Sequence, residues 1–118
     1  MRHLLLVALL ALVPMGCGSA VPPASAAQRA QVRVTLYTTR WCPVCAHARG
    51  WLRARGIPYE ERDVETDPGA AARWGSLNPA RTVPVADVDG RVLVGFVQDE
   101  WREAVDAAAH RRASAPRP

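Results

Sequence analysis

From Gln31 onward apolar and polar positions alternate, with Val32, Val34 and Leu36 separated by Arg33 and Thr35. A period of two marks a half-buried strand, and the polar stretch Thr38-Thr39-Arg40 bounds it as a loop. The period then lengthens. Pro43 suits the first turn of a helix, and Val44, Ala48, Trp51 and Leu52 recur at helical spacing until Gly56 stops the run. A short second strand follows from Tyr59 to Val64, with Pro58 at its entry, where a missing donor is tolerated. Asp67-Pro68 opens a second helix that runs to about Leu77. Val83 to Val88 and Arg91 to Val94, joined by Asp89-Gly90, read as a hairpin. The last helix begins near Gln98 and carries Trp101, Ala104, Val105 and Ala108 on one face.

The order strand, helix, strand, helix, strand, strand, helix predicts an α/β domain. Its economical form has two parallel pairings through right-handed crossovers, extended by the hairpin. That gives a four-stranded mixed sheet flanked by three helices. With 118 residues, half of them apolar, the chain is long enough for one domain with a core and too short for two.

Ahead of this pattern, Arg2 and His3 precede the apolar run Leu4 to Val13, the positive-then-apolar layout of a secretory signal. Ten apolar residues do not span a bilayer unaided. Two processing sites compete. Ala24-Ser25-Ala26 fits the small-x-small pattern for soluble release, with Ala27 as the new terminus. Pro14-Met15-Gly16-Cys17 resembles the lipobox of bacterial lipoproteins, in which Cys17 becomes the lipid-modified first residue, although Pro14 stands where that family usually has an aliphatic. Gly18 to Ala27 is then a Pro-broken tether. The expectation is an exported protein, periplasmic or held at the envelope membrane by a lipid anchor. Residues 1–26 form the leader and tether, 27–112 the domain and 113–118 a disordered tail.

Charge narrows the range of partners. The net charge is +4, and all 15 basic residues are arginines, scattered among acids along the body. No continuous phosphate-tracking stripe results, which argues against nucleic-acid binding. Nothing in the pattern calls for a bound organic cofactor or an oligomer, so a monomer is expected.

The chemistry lies in Cys42-Pro43-Val44-Cys45. Two cysteines separated by two residues at a strand-to-helix junction can close a small disulfide ring. The first sits at the helix N-terminus, where orphan N–H groups and the macrodipole favour negative charge on sulfur. Cys42 is therefore expected to attack a disulfide in a partner. Cys45, one turn into the helix, is expected to be less exposed, harder to ionise and the resolving thiol. Arg40 adds a cation two residues before Cys42. Half of a zinc site has the same spacing, but only His47 and His110 remain in the domain as nitrogen ligands, and His47 points to a different helical face from Cys45. Copper(I) on the two thiolates is the more plausible metal. The alternative function is accordingly a copper-binding or adaptor module without redox turnover. Trp51, Trp74 and Trp101 read as core, and Glu60 to Asp63 as a solvated strand edge.

The residues Val34-Thr35-Leu36-Tyr37-Thr38 followed by Cys42-Pro43-x-Cys45, then Gly56-Ile57-Pro58-Tyr59 with Asp63-Val64, then Thr82-Val83-Pro84, resemble the glutaredoxin family in order and spacing. The resemblance runs from about Gln31 to Ala109. It implies a thioredoxin fold and a thiol–disulfide oxidoreductase whose partners are disulfide-containing proteins or low-molecular-weight thiols, with a separate electron donor. It implies that Pro84 follows a cis peptide bond opposite the cysteines, where the Val83 backbone meets an extended partner segment. Arg40, Trp41, Pro43, Val83 and Pro84 are the expected substrate-binding residues. Trp41 also resembles the tryptophan that precedes the first cysteine of thioredoxins. Many glutathione-using members carry lysine where this chain has Thr39, and Gly-Gly-Asp where it has Gly95-Phe96-Val97-Gln98, which argues against glutathione specificity.

Overall fold

The computed structural model describes residues 20–116. Cys17 and the apolar leader lie outside the described residues. The elements are α1 (Ala26–Arg29), β1 (Val34–Thr38), α2 (Pro43–Ala54), β2 (Tyr59–Asp63), α3 (Pro68–Leu77), β3 (Val85–Val88), β4 (Arg91–Val94) and α4 (Gln98–Ser114). The strands form one mixed sheet in the order β2-β1-β3-β4. This is the thioredoxin fold, with the short α1 added ahead of it.

Pairing differs from the expectation in one respect. β1 and β2 are parallel, with Val34 opposite Tyr59, but β1 and β3 are antiparallel, with Tyr37 opposite Val85. The reason is where α3 leaves the chain. β2 ends beside Thr38, and β3 starts beside Tyr37, at the same end of the sheet. α3 therefore stays at that end instead of carrying the chain back along the sheet. Its consequence is functional, because α3 and the loop after it stand next to the start of α2. β3 begins at Val85, two residues later than the apolar run suggests, because Pro84 has no N–H to give to a ladder.

Local signals set the helix ends. Pro43 and Pro68 occupy first turns, behind the caps Cys42 and Asp67. Asp67 Oδ1 accepts from the Ala70 N–H at 3.0 Å, while its other oxygen binds Arg62 at 2.9 Å. α4 has no side-chain cap, but Asp99 and Glu100 in its first turn and Arg111 and Arg112 in its last match the macrodipole. The helix runs through Ala113 to Ser114, into the stretch expected as a tail, since no glycine or proline interrupts it before Pro116. Among the described residues, no helix is long and apolar enough to cross a membrane.

The principal core packs Leu36, Ala48, Leu52, Val88, Leu93, Trp101, Val105 and Ala108 between sheet and helices. Trp101 is fully buried, meets Trp51 and Phe96 edge to face at 6.1 and 5.0 Å, and donates its indole N–H to Gly95 O at 3.0 Å. Removing it leaves a large cavity and an unpaired carbonyl. Trp101→Ala is expected to lower unfolding stability by about 3–5 kcal/mol, read from denaturant titration of the purified protein.

Candidate active site

The site stands at the end of β1, as is usual for open α/β sheets. β1 delivers the chain through Thr39-Arg40-Trp41 to Cys42, whose extended backbone (φ −80°, ψ 110°) makes it the N-cap of α2. A sulfur thus replaces the usual cap oxygen. Cys42 Sγ accepts from the Cys45 N–H at 3.1 Å, so one of the helix's orphan donors is aimed at the reactive atom.

Cys45 is completely buried one turn into α2, and both thiols are unbonded. Burial pushes its thiol up from 9.0 to about 12, helped by its hydrogen bond to Cys42 and the charge there, against a hydrogen bond from the Thr39 backbone. Two thiols three residues apart are thereby differentiated by environment. A stability consequence follows. Between pH 9 and about 12 the unfolded chain loses the Cys45 proton and the folded chain keeps it, so stability of the reduced protein falls as pH rises through that window. Thermal unfolding of the reduced form across that range should show the decline, and the Cys42–Cys45 disulfide form, which lacks the titrating thiol, should not show this component.

Opposite the cysteines, the Val83–Pro84 peptide bond is cis. Val83 O lies 4.0 Å from Cys42 Sγ, and Pro84 O is anchored by the Gly95 N–H at 2.8 Å. Because the β3 ladder starts at Val85, the Val83 backbone stays outside the sheet's own pairing.

Cys42 and Val83 border a groove of about 450 Å³, whose walls include Trp41, Val64 and Trp74 and whose rim carries Glu65 and Arg81. Trp41 is 69% exposed yet held, because its indole N–H donates to Glu65 Oε1 at 2.9 Å. Trp74 donates to Thr82 O at 2.9 Å. Arg81 lies over the Trp74 ring at 5.8 Å. Its guanidinium occupies the space a side chain at Gly75 would need, with Nη2 3.2 Å from the position of a Cβ there. Thr39 lines the groove too, and its buried hydroxyl has no hydrogen-bond partner.

The structure brings together Cys42, Cys45, Trp41, Val83 and Pro84 from the expected set. Arg40 and Pro43 are exposed and do not line the groove; Arg40 sits in the turn before α2, and Pro43 serves as the first residue of that helix. The arginine on the groove is Arg81, which the sequence reading missed, as it missed Glu65 and Thr39 as lining residues. Trp74 packs against the second core cluster of Tyr37, Val64, Ala70 and Val85, as the core reading has it, but is only half-buried and also forms part of the groove wall. One part of the expected solvated edge is engaged, since Glu61 accepts from the Thr38 hydroxyl at 2.9 Å and from Arg49 at 2.7 Å. His47 is exposed, and among the described residues no three His, Cys, Asp or Glu side chains are grouped to hold a metal.

A thioredoxin fold with a capped dithiol facing a cis-proline defines a class of redox protein built for thiol–disulfide exchange. The glutaredoxin family model matches residues 34–93, and the chain belongs to that family. It is 42% identical over 69 residues to a Mycobacterium tuberculosis protein named as a glutaredoxin, covering 57% of this chain and 82% of the relative. It is 37% identical over 70 residues to a glutaredoxin of Neisseria meningitidis, covering 58% and 81%. Among solved structures, a thioredoxin-like protein superposes with a TM-score of 0.57 at 28% identity, covering 60% of this chain and 97% of that one. A glutaredoxin from Archaeoglobus fulgidus superposes with a TM-score of 0.55 at 16% identity, covering 70% and 95%.

Proposed function

We propose that this glutaredoxin-family chain is a dithiol oxidoreductase of the bacterial envelope that exchanges electrons with disulfides presented in extended polypeptide segments. The observation that carries the reading is the Cys42 sulfur, held by the Cys45 N–H at 3.1 Å and set 4.0 Å from the Val83 carbonyl at the edge of an apolar groove. The Cys42 thiolate attacks one sulfur of the partner disulfide, forming a mixed disulfide and releasing the other partner sulfur as a thiolate. Cys45 then gives up its proton to a departing thiolate and attacks the Cys42 sulfur. The Cys42–Cys45 disulfide forms, the partner leaves as a dithiol, and two electrons have moved to it. A thiol or dithiol donor restores the reduced pair.

A polypeptide partner suits the surroundings of the thiol. Two indoles offer flat apolar area, and the Val83 backbone offers main-chain hydrogen bonds to a strand-like segment. The envelope location is supported by the positively charged and apolar start of the chain. Reduction of insulin disulfides by the full chain with a supplied dithiol tests the activity itself; stoichiometric consumption of its thiols without turnover would overturn the proposal.

A further inference from the structure

The Ala24-Ser25-Ala26 stretch carries two patterns at once. As small-x-small it marks a processing site before Ala27; as Ser25-x-x-Gln28 it is a capping box. The folded chain uses the second. Ser25 Oγ accepts from the Gln28 N–H at 3.2 Å, and Gln28 Oε1 accepts from the Ser25 N–H at 2.8 Å. Ser25 O and Ala26 O accept from the Arg29 and Ala30 N–H groups, both at 3.0 Å. Every one of these bonds crosses the Ala26–Ala27 peptide.

Further contacts tie the same segment to α4. Ala24 is 6% exposed and belongs to the cluster of Trp101, Val105 and Ala108. Pro22 O is 2.8 Å from the His110 ring Nε2. Arg29, held by the α1 turn, binds Asp106 at 2.9 Å, and that carboxylate is almost wholly buried. A buried carboxylate without its cation is costly, so the turn that places Arg29 is part of the domain's stability. A cut after Ala26 would remove Ala24, half of the capping box and the Pro22 carbonyl, and would leave only three residues of α1.

We infer that Pro22 to Val32 is a clasp belonging to the folded domain and that proteolytic maturation leaves it whole, with any leader removed upstream of Pro22. The maturation half rests on the exported reading above; the clasp does not. The first test is the N-terminus of the full chain, tagged at its C-terminus, expressed in a bacterium with its export machinery intact and recovered from the envelope for mass measurement. A first residue at or before position 22, whether Cys17 or another, is the expected result. A protein starting at Ala27 would overturn the inference. An unprocessed chain starting at Met1 keeps the clasp and counts against export instead.

The second test needs no export. In the full chain, Ala24→Asp places a charge in the core and should lower Tm by roughly 5 °C or more. Ser25→Ala, a milder change, should lower it by a few degrees. An unchanged Tm in both variants would show that the segment is not part of the folded domain and would sink the clasp whatever the first residue is.

Discussion

Cys42→Ser should abolish reduction of a model disulfide, with turnover falling by on the order of 1,000-fold or more to the level of the uncatalysed thiol reaction. A serine hydroxyl at the cap accepts the same Cys45 N–H, so the fold and α2 remain while the nucleophile is lost. Cys45 is not expected to substitute for it. The thiol is completely buried, and burial, the largest of the causes that push it up, remains when Cys42 is replaced, so near neutral pH little of it is thiolate. The measurement is insulin reduction by wild type and variant at equal concentration, with thermal unfolding as the control for folding. Residual activity within tenfold of wild type would place the chemistry on another group.

Cys45→Ser should behave in the opposite manner at the first step. Cys42 keeps its place at the groove and should attack at a rate close to wild type, but no thiol then stands behind it to release the partner. A long-lived mixed disulfide accumulates, and turnover falls roughly 100-fold or more with a dithiol-dependent substrate. Intact mass spectrometry of the variant mixed with a cystine-containing peptide should show one peptide chain per protein, reversible by a small dithiol. The same environment explains why resolution accelerates only after attack. Two of the causes that raise Cys45, its hydrogen bond to Cys42 and the charge there, disappear once Cys42 sulfur is bonded to the partner, leaving burial as the main one. Free peptide released from the variant at the wild-type rate would mean that Cys45 does not resolve the intermediate.

These roles were legible in the sequence because the motif and its context are local. Period-2 alternation in Val32 to Leu36 gives β1, the proline after Cys42 gives the start of α2, and together they place one sulfur at a helix terminus. The hairpin of β3 and β4 was equally local, announced by Asp89-Gly90, both of which adopt positive φ. What was not legible depends on tertiary placement. α1 has four residues and no apolar periodicity of its own; it exists through its capping box and its contacts with α4, so its sequence reads as the end of a leader. The direction of β3 was misjudged because a helix after a strand usually returns along the sheet, whereas α3 remains at the site's end. Arg81 enters the groove through a left-handed backbone (φ 54°) and the space left by Gly75, two conditions that no linear pattern advertises. Trp74 has the spacing of a core residue, and only the fold shows that the surface it covers is the groove wall.

Direction of electron flow depends on the potential of the pair relative to its donor, and that potential is also the most direct test of redox function. The full chain, equilibrated anaerobically against graded thiol–disulfide buffers and quenched with acid, is analysed by intact mass for the loss of two hydrogens and mapped to Cys42 and Cys45. A single reversible two-electron transition between about −120 and −270 mV, the span of known exchange-active dithiols, is the result this account predicts. A pair that never forms the disulfide, or one that stays oxidised below about −300 mV as structural disulfides do, would contradict it.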